Sequence, residues 1–213
     1  RDNQKQRLSL VLSLPKDPAS SGWASDANVT DQFVARYLNA IRMRDDQVSG
    51  LVRNMQLKQK LSDSACTDCI HKDECFSNFG TVDVDEVAIG LYPFRNKSAN
   101  ELLNRIKEKN NYGKTQRGLI EVIINPTLSY FEKVSDGKRQ RLDLDVSVSY
   151  PSYFPELRER FLKGWDTGEV ELFNYLTNVW SQGGGLDQVI AEIQPLLPYF
   201  KLPKYSDNVS EHD

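Results

Sequence analysis

The chain has 213 residues and 24.3 kDa, of which 39% are hydrophobic and 27% charged, with a net charge of −3 and a mean hydropathy of −0.55. This is too apolar for a disordered chain and too polar for a membrane-embedded one, and no run approaches the ~18 apolar residues that a bilayer-spanning helix needs. The charge alternates: ten Lys/Arg face six Asp/Glu in residues 1–60, three face seven in 61–100, nine face five in 101–141, and five face twelve in 142–213. The basic segments suit phosphate or simply solvated helix faces, while the acidic tail argues against a uniform nucleic-acid-binding surface.

In chain order, Arg1 to Lys5 make no signal-peptide pattern. With no initiator Met, the sequence reads as a piece of a longer polypeptide. Leucine at every second position over 8–14 predicts a strand, closed by Pro15, and 16–29 predicts a loop. Thr30 or Asp31 can cap a helix carrying Phe33, Val34, Tyr37, Leu38 and Ile41, and Val48, Leu51, Val52 and Met55 repeat the helical spacing. A short apolar stretch runs from Val87 to Phe94. Ser98 and Glu101 make a capping-box pattern before Leu102, Leu103 and Ile106. Asn110 to Gly113 breaks that helix. A second starts near Thr115 and carries Leu119, Ile120, Ile123, Leu128 and Phe131, with Pro126 expected to kink or split it. Alternation over 142–150 predicts an edge strand or hairpin arm. Helices are expected at 155–163, 168–181 and 186–197, punctuated by Gly164 and by Gly183 to Gly185, before a polar end.

The chemistry-bearing feature is Cys66-x2-Cys69-x5-Cys75, which encloses His71. Two thiolates two residues apart can grip one metal ion from a tight turn, and zinc favours four nitrogen or sulfur ligands. With no fourth cysteine in the chain, His71 or an acidic neighbour is the candidate fourth ligand. Three free thiols, or an iron–sulfur cluster, remain as alternatives. An odd cysteine count argues against a disulfide scaffold and fits a reducing, cytoplasmic setting. No G-x-x-x-x-G-K-[ST] loop and no strand ending in an Asp-Glu pair occur, so this chain cannot hydrolyse ATP by itself.

Four pieces in order carry a resemblance. They are the three cysteines, Phe79-Gly80, Gly90-Leu91-Tyr92-Pro93-Phe94, and Thr115-Gln116-Arg117-Gly118-Leu119-Ile120. Over residues 60–130 this order resembles the C-terminal half of large P-loop, AAA+-like ATPases of bacterial anti-phage systems, of the BREX type or the phosphorothioation-dependent restriction type. One departure is Phe76, which stands where the family pattern has a histidine after the third cysteine.

The resemblance implies a mixed α/β, predominantly helical fold: the end of a P-loop NTPase core with a cysteine-rich zinc-knuckle insert and a helical lid. The implied segments are 1–60 (end of the core), 61–95 (cysteine-rich insert), 96–140 (helical lid) and 141–213 (C-terminal strand and helices). It implies zinc (Zn2+) held by Cys66, Cys69, Cys75 and His71, and ATP with Mg2+ bound through an upstream half. It casts Arg117 as a nucleotide-sensing arginine at a lid-helix start. A cation there is unfavourable by ~0.3–1 kcal/mol, which an anionic partner would explain. Arg36, Arg42 and Arg44 become candidates for an intersubunit arginine finger. The implied partners are other subunits of a defence complex, further copies of the chain, and DNA. The rival reading is a non-enzymatic zinc-containing module that binds DNA or protein.

Overall fold

The computed structural model describes residues 26–44, 47, 64–107, 109, 111–135, 142–148, 150–181 and 185–203. The expected strand at 8–14, the helical repeat from Val48 to Met55, the polar stretch at 138–141 and the last ten residues lie outside these. The described residues are mixed α/β and predominantly helical. Among them no helix is long and apolar enough to cross a membrane. The chain divides into two compact units, Arg1–Asn104 with Lys114–Gln116, and Arg105–Gly113 with Arg117–Asp213.

The first unit holds α1 (Ala27–Arg42), α2 (Lys72–Phe79), strands β1 (Thr81–Val84) and β2 (Val87–Gly90), and α3 (Ser98–Asn104). Helix α1 begins before Thr30 because Asp26 caps it, its carboxylate accepting from the Asn28 and Val29 amides. Thr30 and Asp31 are thereby interior to the helix, buried, and used elsewhere. The Thr30 hydroxyl accepts from Asn100 Nδ2 at 3.0 Å, and Asp31 Oδ2 accepts from the Lys97 amide at 2.8 Å, just ahead of α3. Ser98 turns back to Arg95, donating to its carbonyl at 2.7 Å and accepting from its amide at 2.9 Å.

Strands β1 and β2 form an antiparallel hairpin in the register Thr81↔Gly90 to Val84↔Val87, turned by Asp85 and Glu86, both at positive φ. A lone hairpin is marginal in water. Here α1 packs against both strands and α3, and α2 against β2. Leu38, Phe79, Ile89, Leu91, Phe94, Leu102 and Leu103 are fully buried, each worth roughly 1.5–3 kcal/mol of transfer free energy. The cysteine segment shares this one unit with α1 and α3.

The second unit starts at Arg105. From Gln116 the helix opens as a single α-turn, α4 (Gln116–Gly118), widens to a π-helix over Leu119–Ile124, and continues as α5 (Asn125–Ser135). Pro126 therefore neither ends nor splits it. Proline has no amide to donate and its ring crowds the carbonyl four residues back. The π-turn relieves this by shifting the bonding pattern, so that the Asn125 amide reaches the Ile120 carbonyl, five residues back.

Residues 142–148 do not make a strand. Among the described residues their alternation yields one antiparallel bridge, Val146 to Ile106, which buries Leu144 and Val146. Helices α6 (Phe154–Phe161), α7 (Thr167–Val179) and α8 (Leu186–Ile193) fall close to expectation, with a 3₁₀ turn at Gln194–Leu196. A capping box between Asp166 and Glu169 starts α7. Trp180 and Phe131 both meet Phe200 edge-on, with ring centroids 5.6 and 5.0 Å apart, in the core of this unit.

Candidate functional site

The cysteines sit on a run of overlapping turns that leads into α2. The Thr67 amide donates to Ser64 O (3.0 Å), the Cys69 amide to Cys66 O (3.4 Å), and the Lys72 amide to Cys69 O (3.1 Å). Two side chains tie this run to the unit. Asn39 of α1 accepts from the Ala65 amide at 2.8 Å. The Ser64 hydroxyl donates to Ala88 O at 3.3 Å and accepts from the Cys66 amide at 3.0 Å. The sequence reasoning missed both residues. Their signal was present at position 39, where a polar residue interrupts the apolar face of α1 and is buried.

The three thiols differ in access. Cys66 is buried, Cys69 is exposed, Cys75 is intermediate, and His71 is exposed at the start of α2. The Cys75 sulfur lies against β2, where only glycine fits. A Cβ on residue 90 would stand 3.3 Å from Cys75 Sγ and 2.9 Å from the Phe76 ring. Burial pushes the Cys75 thiol up, while the Tyr92 amide and the Arg42 guanidinium oppose that shift and the charges of Cys66 and Cys69 add to it. Cys75 is thus within electrostatic reach of Cys66 and of Cys69. Three thiols and an imidazole on one turn and the helix it feeds match zinc's donor preference. As they stand, no three His, Cys, Asp or Glu side chains among the described residues are gathered into a metal-holding group.

The arginines fall in different places. Arg42 ends α1 and is partly buried. Its Nη1 donates to Gly90 O at 2.8 Å and its Nη2 to Tyr92 O, so one guanidinium holds two carbonyls of the segment that faces Cys75. That engages Arg42 within its own unit. Arg36 is exposed on α1 and lies 3.9 Å from Asp85 of the hairpin turn, a weak surface pair. Arg44 follows α1, is exposed, and its amide donates to Gln47 Oε1 at 3.0 Å. Arg117 is exposed in α4 and lies over the Tyr112 ring, 5.1 Å from its centroid. Gly118 fixes this arrangement, because a Cβ there would overlap the Gly113 carbonyl oxygen.

Compared with protein families, with curated proteins and with solved structures, the chain matches none.

Proposed function

We propose that the chain is a C-terminal portion of a P-loop, AAA+-like ATPase of anti-phage defence or DNA restriction, contributing nucleotide sensing and complex assembly. The observation that carries this reading is the place of Arg117, an exposed, always-charged guanidinium at the opening turn of a long helix, held by Tyr112. An arginine so placed suits phosphate oxygens, and would couple the helix to the presence of a γ-phosphate supplied by an upstream half. Zinc held by Cys66, Cys69 and Cys75, with His71 as fourth ligand, would brace the turn above β2 and α1. To hold zinc, the thiols of the 64–71 turn would draw together with Cys75 of α2. In the intact protein, Arg117→Ala is expected to lower ATP turnover or nucleotide-dependent assembly tenfold or more. Unchanged turnover and assembly would remove the assignment.

A second reading, a zinc-containing module that binds protein or DNA without catalysis, is favoured by Ile70. This residue is 91% exposed at the tip of the cysteine turn, a placement that serves a contact better than a fold.

A further inference from the structure

Cys66 and Cys69 are the first and last residues of one hydrogen-bonded turn, closed by the Cys69 amide on the Cys66 carbonyl at 3.4 Å. A four-residue turn keeps its end Cα atoms within about 7 Å, which overlaps the roughly 4.4–6.8 Å that a disulfide spans. The Cys66 end is fixed, since its own amide is taken by Ser64 Oγ and the preceding amide by Asn39. Cys69 is open to solvent and Cys66 is buried. Cys75 is not part of this turn. It sits on α2 with its sulfur against Gly90, and receives the Tyr92 amide. One exposed thiol, one buried thiol within bridging reach and one sulfur engaged elsewhere is the asymmetry of an attacking and a resolving cysteine.

We infer that Cys66 and Cys69 are a reversible oxidation site for hydrogen peroxide, in which Cys69 is oxidised first and Cys66 resolves it. The Cys69 sulfur, as thiolate, attacks one peroxide oxygen. The O–O bond breaks, hydroxide leaves and becomes water with the proton the thiol gave up, and Cys69 becomes a sulfenic acid. The Cys66 sulfur then attacks the Cys69 sulfur. The S–O bond breaks, the hydroxyl leaves as a second water with the Cys66 proton, and the S–S bond forms. Two thiols lose two electrons and two protons, and one peroxide becomes two waters. Only the consequence of this step rests on the zinc reading. A disulfide sulfur is no longer a thiolate ligand, so the bridge releases the metal.

The test is peptide mapping by mass spectrometry of the reduced protein after stoichiometric hydrogen peroxide, with and without prior chelator, and with metal content measured before the oxidant is added. A Cys66–Cys69 bridge is expected, reversed by dithiothreitol, retained in Cys75→Ser and lost in Cys69→Ser. A dominant bridge that contains Cys75, or Cys69 driven to sulfinic acid without any bridge in the chelator-treated wild type, overturns the inference. Metal-free protein that still forms the Cys66–Cys69 bridge removes the zinc reading and leaves the dithiol standing. Zinc-loaded protein that forms no bridge even after chelation does the reverse.

Discussion

Asp31 shows how a single residue ties two helices together. It is buried on α1, and it accepts the Lys97 amide that precedes α3. Burial pushes its carboxyl up to about 6, against the opposing pull of the Lys97 amide and charge. The folded state thus holds this proton more tightly than the unfolded chain does. The group's favourable contribution is complete below pH ~4 and is lost as the pH rises through about 6. Asp31→Asn keeps an oxygen for the Lys97 amide and removes the charge. It should stabilise the protein above pH 6 by about 1–2 kcal/mol, less than the ~3 kcal/mol of two full pKa units because the variant also gives up the charge on the bond from the Lys97 amide. It should change little at pH 4. Urea unfolding at pH 4 and pH 7.5 reads this directly, and an equal shift at both values would contradict it. None of this was legible in the sequence. There Asp31 read as a cap, because a carboxylate before an apolar helical run looks the same whether it caps its own helix or reaches a different one. The cysteines, by contrast, were visible as a cluster, and the structure places them on one turn and the helix it feeds. Arg42 was picked out as a charge that acts between subunits. Its guanidinium donates to two backbone carbonyls of its own unit, a pairing 48 and 50 residues away that no local pattern encodes.

At the scale of elements, apolar periodicity located the long helices, missed α2 (Lys72–Phe79), and failed where backbone hydrogen bonding decided the outcome. The helix starting near Thr115 was expected to kink or split at Pro126, and with the π-turn over Leu119–Ile124 it continues without a split. The alternation at 142–150 was expected to be an edge strand or hairpin arm. Its buried positions are filled as a strand's would be, yet only Val146 finds a backbone bridge. Period-two burial can therefore occur without a ladder when an extended segment lies on helices. The opening of the Gln116 helix depends on one close backbone approach, Gly118 against the Gly113 carbonyl. Gly118→Ala forces that loop away, and should cost about 3 kcal/mol or more by overpacking. It should also separate Arg117 from Tyr112. Thermal unfolding checks the first part, and a stability change under ~0.5 kcal/mol would show that the loop yields freely.

At the scale of the whole molecule, the expected mixed α/β, predominantly helical character holds among the described residues, and the chain divides into two compact units. The division falls after Asn104, where α3 ends. The first unit gathers α1, the cysteine turn, the hairpin and α3 around one core, so any metal on the turn would brace the elements that Asn39, Ser64 and Arg42 already join. This is where the two functional readings meet. The ATPase portion and the binding module both require zinc on Cys66, Cys69 and Cys75, and structural zinc supplies folding free energy outright. The decisive measurement is the zinc content of protein purified without added metal, by mass spectrometry, for the wild type and for Cys66→Ser/Cys69→Ser. The account predicts one zinc per chain in the wild type, none in the double variant, and a melting temperature lowered by 10 °C or more. Metal-free wild type whose melting matches that of the variant would contradict it.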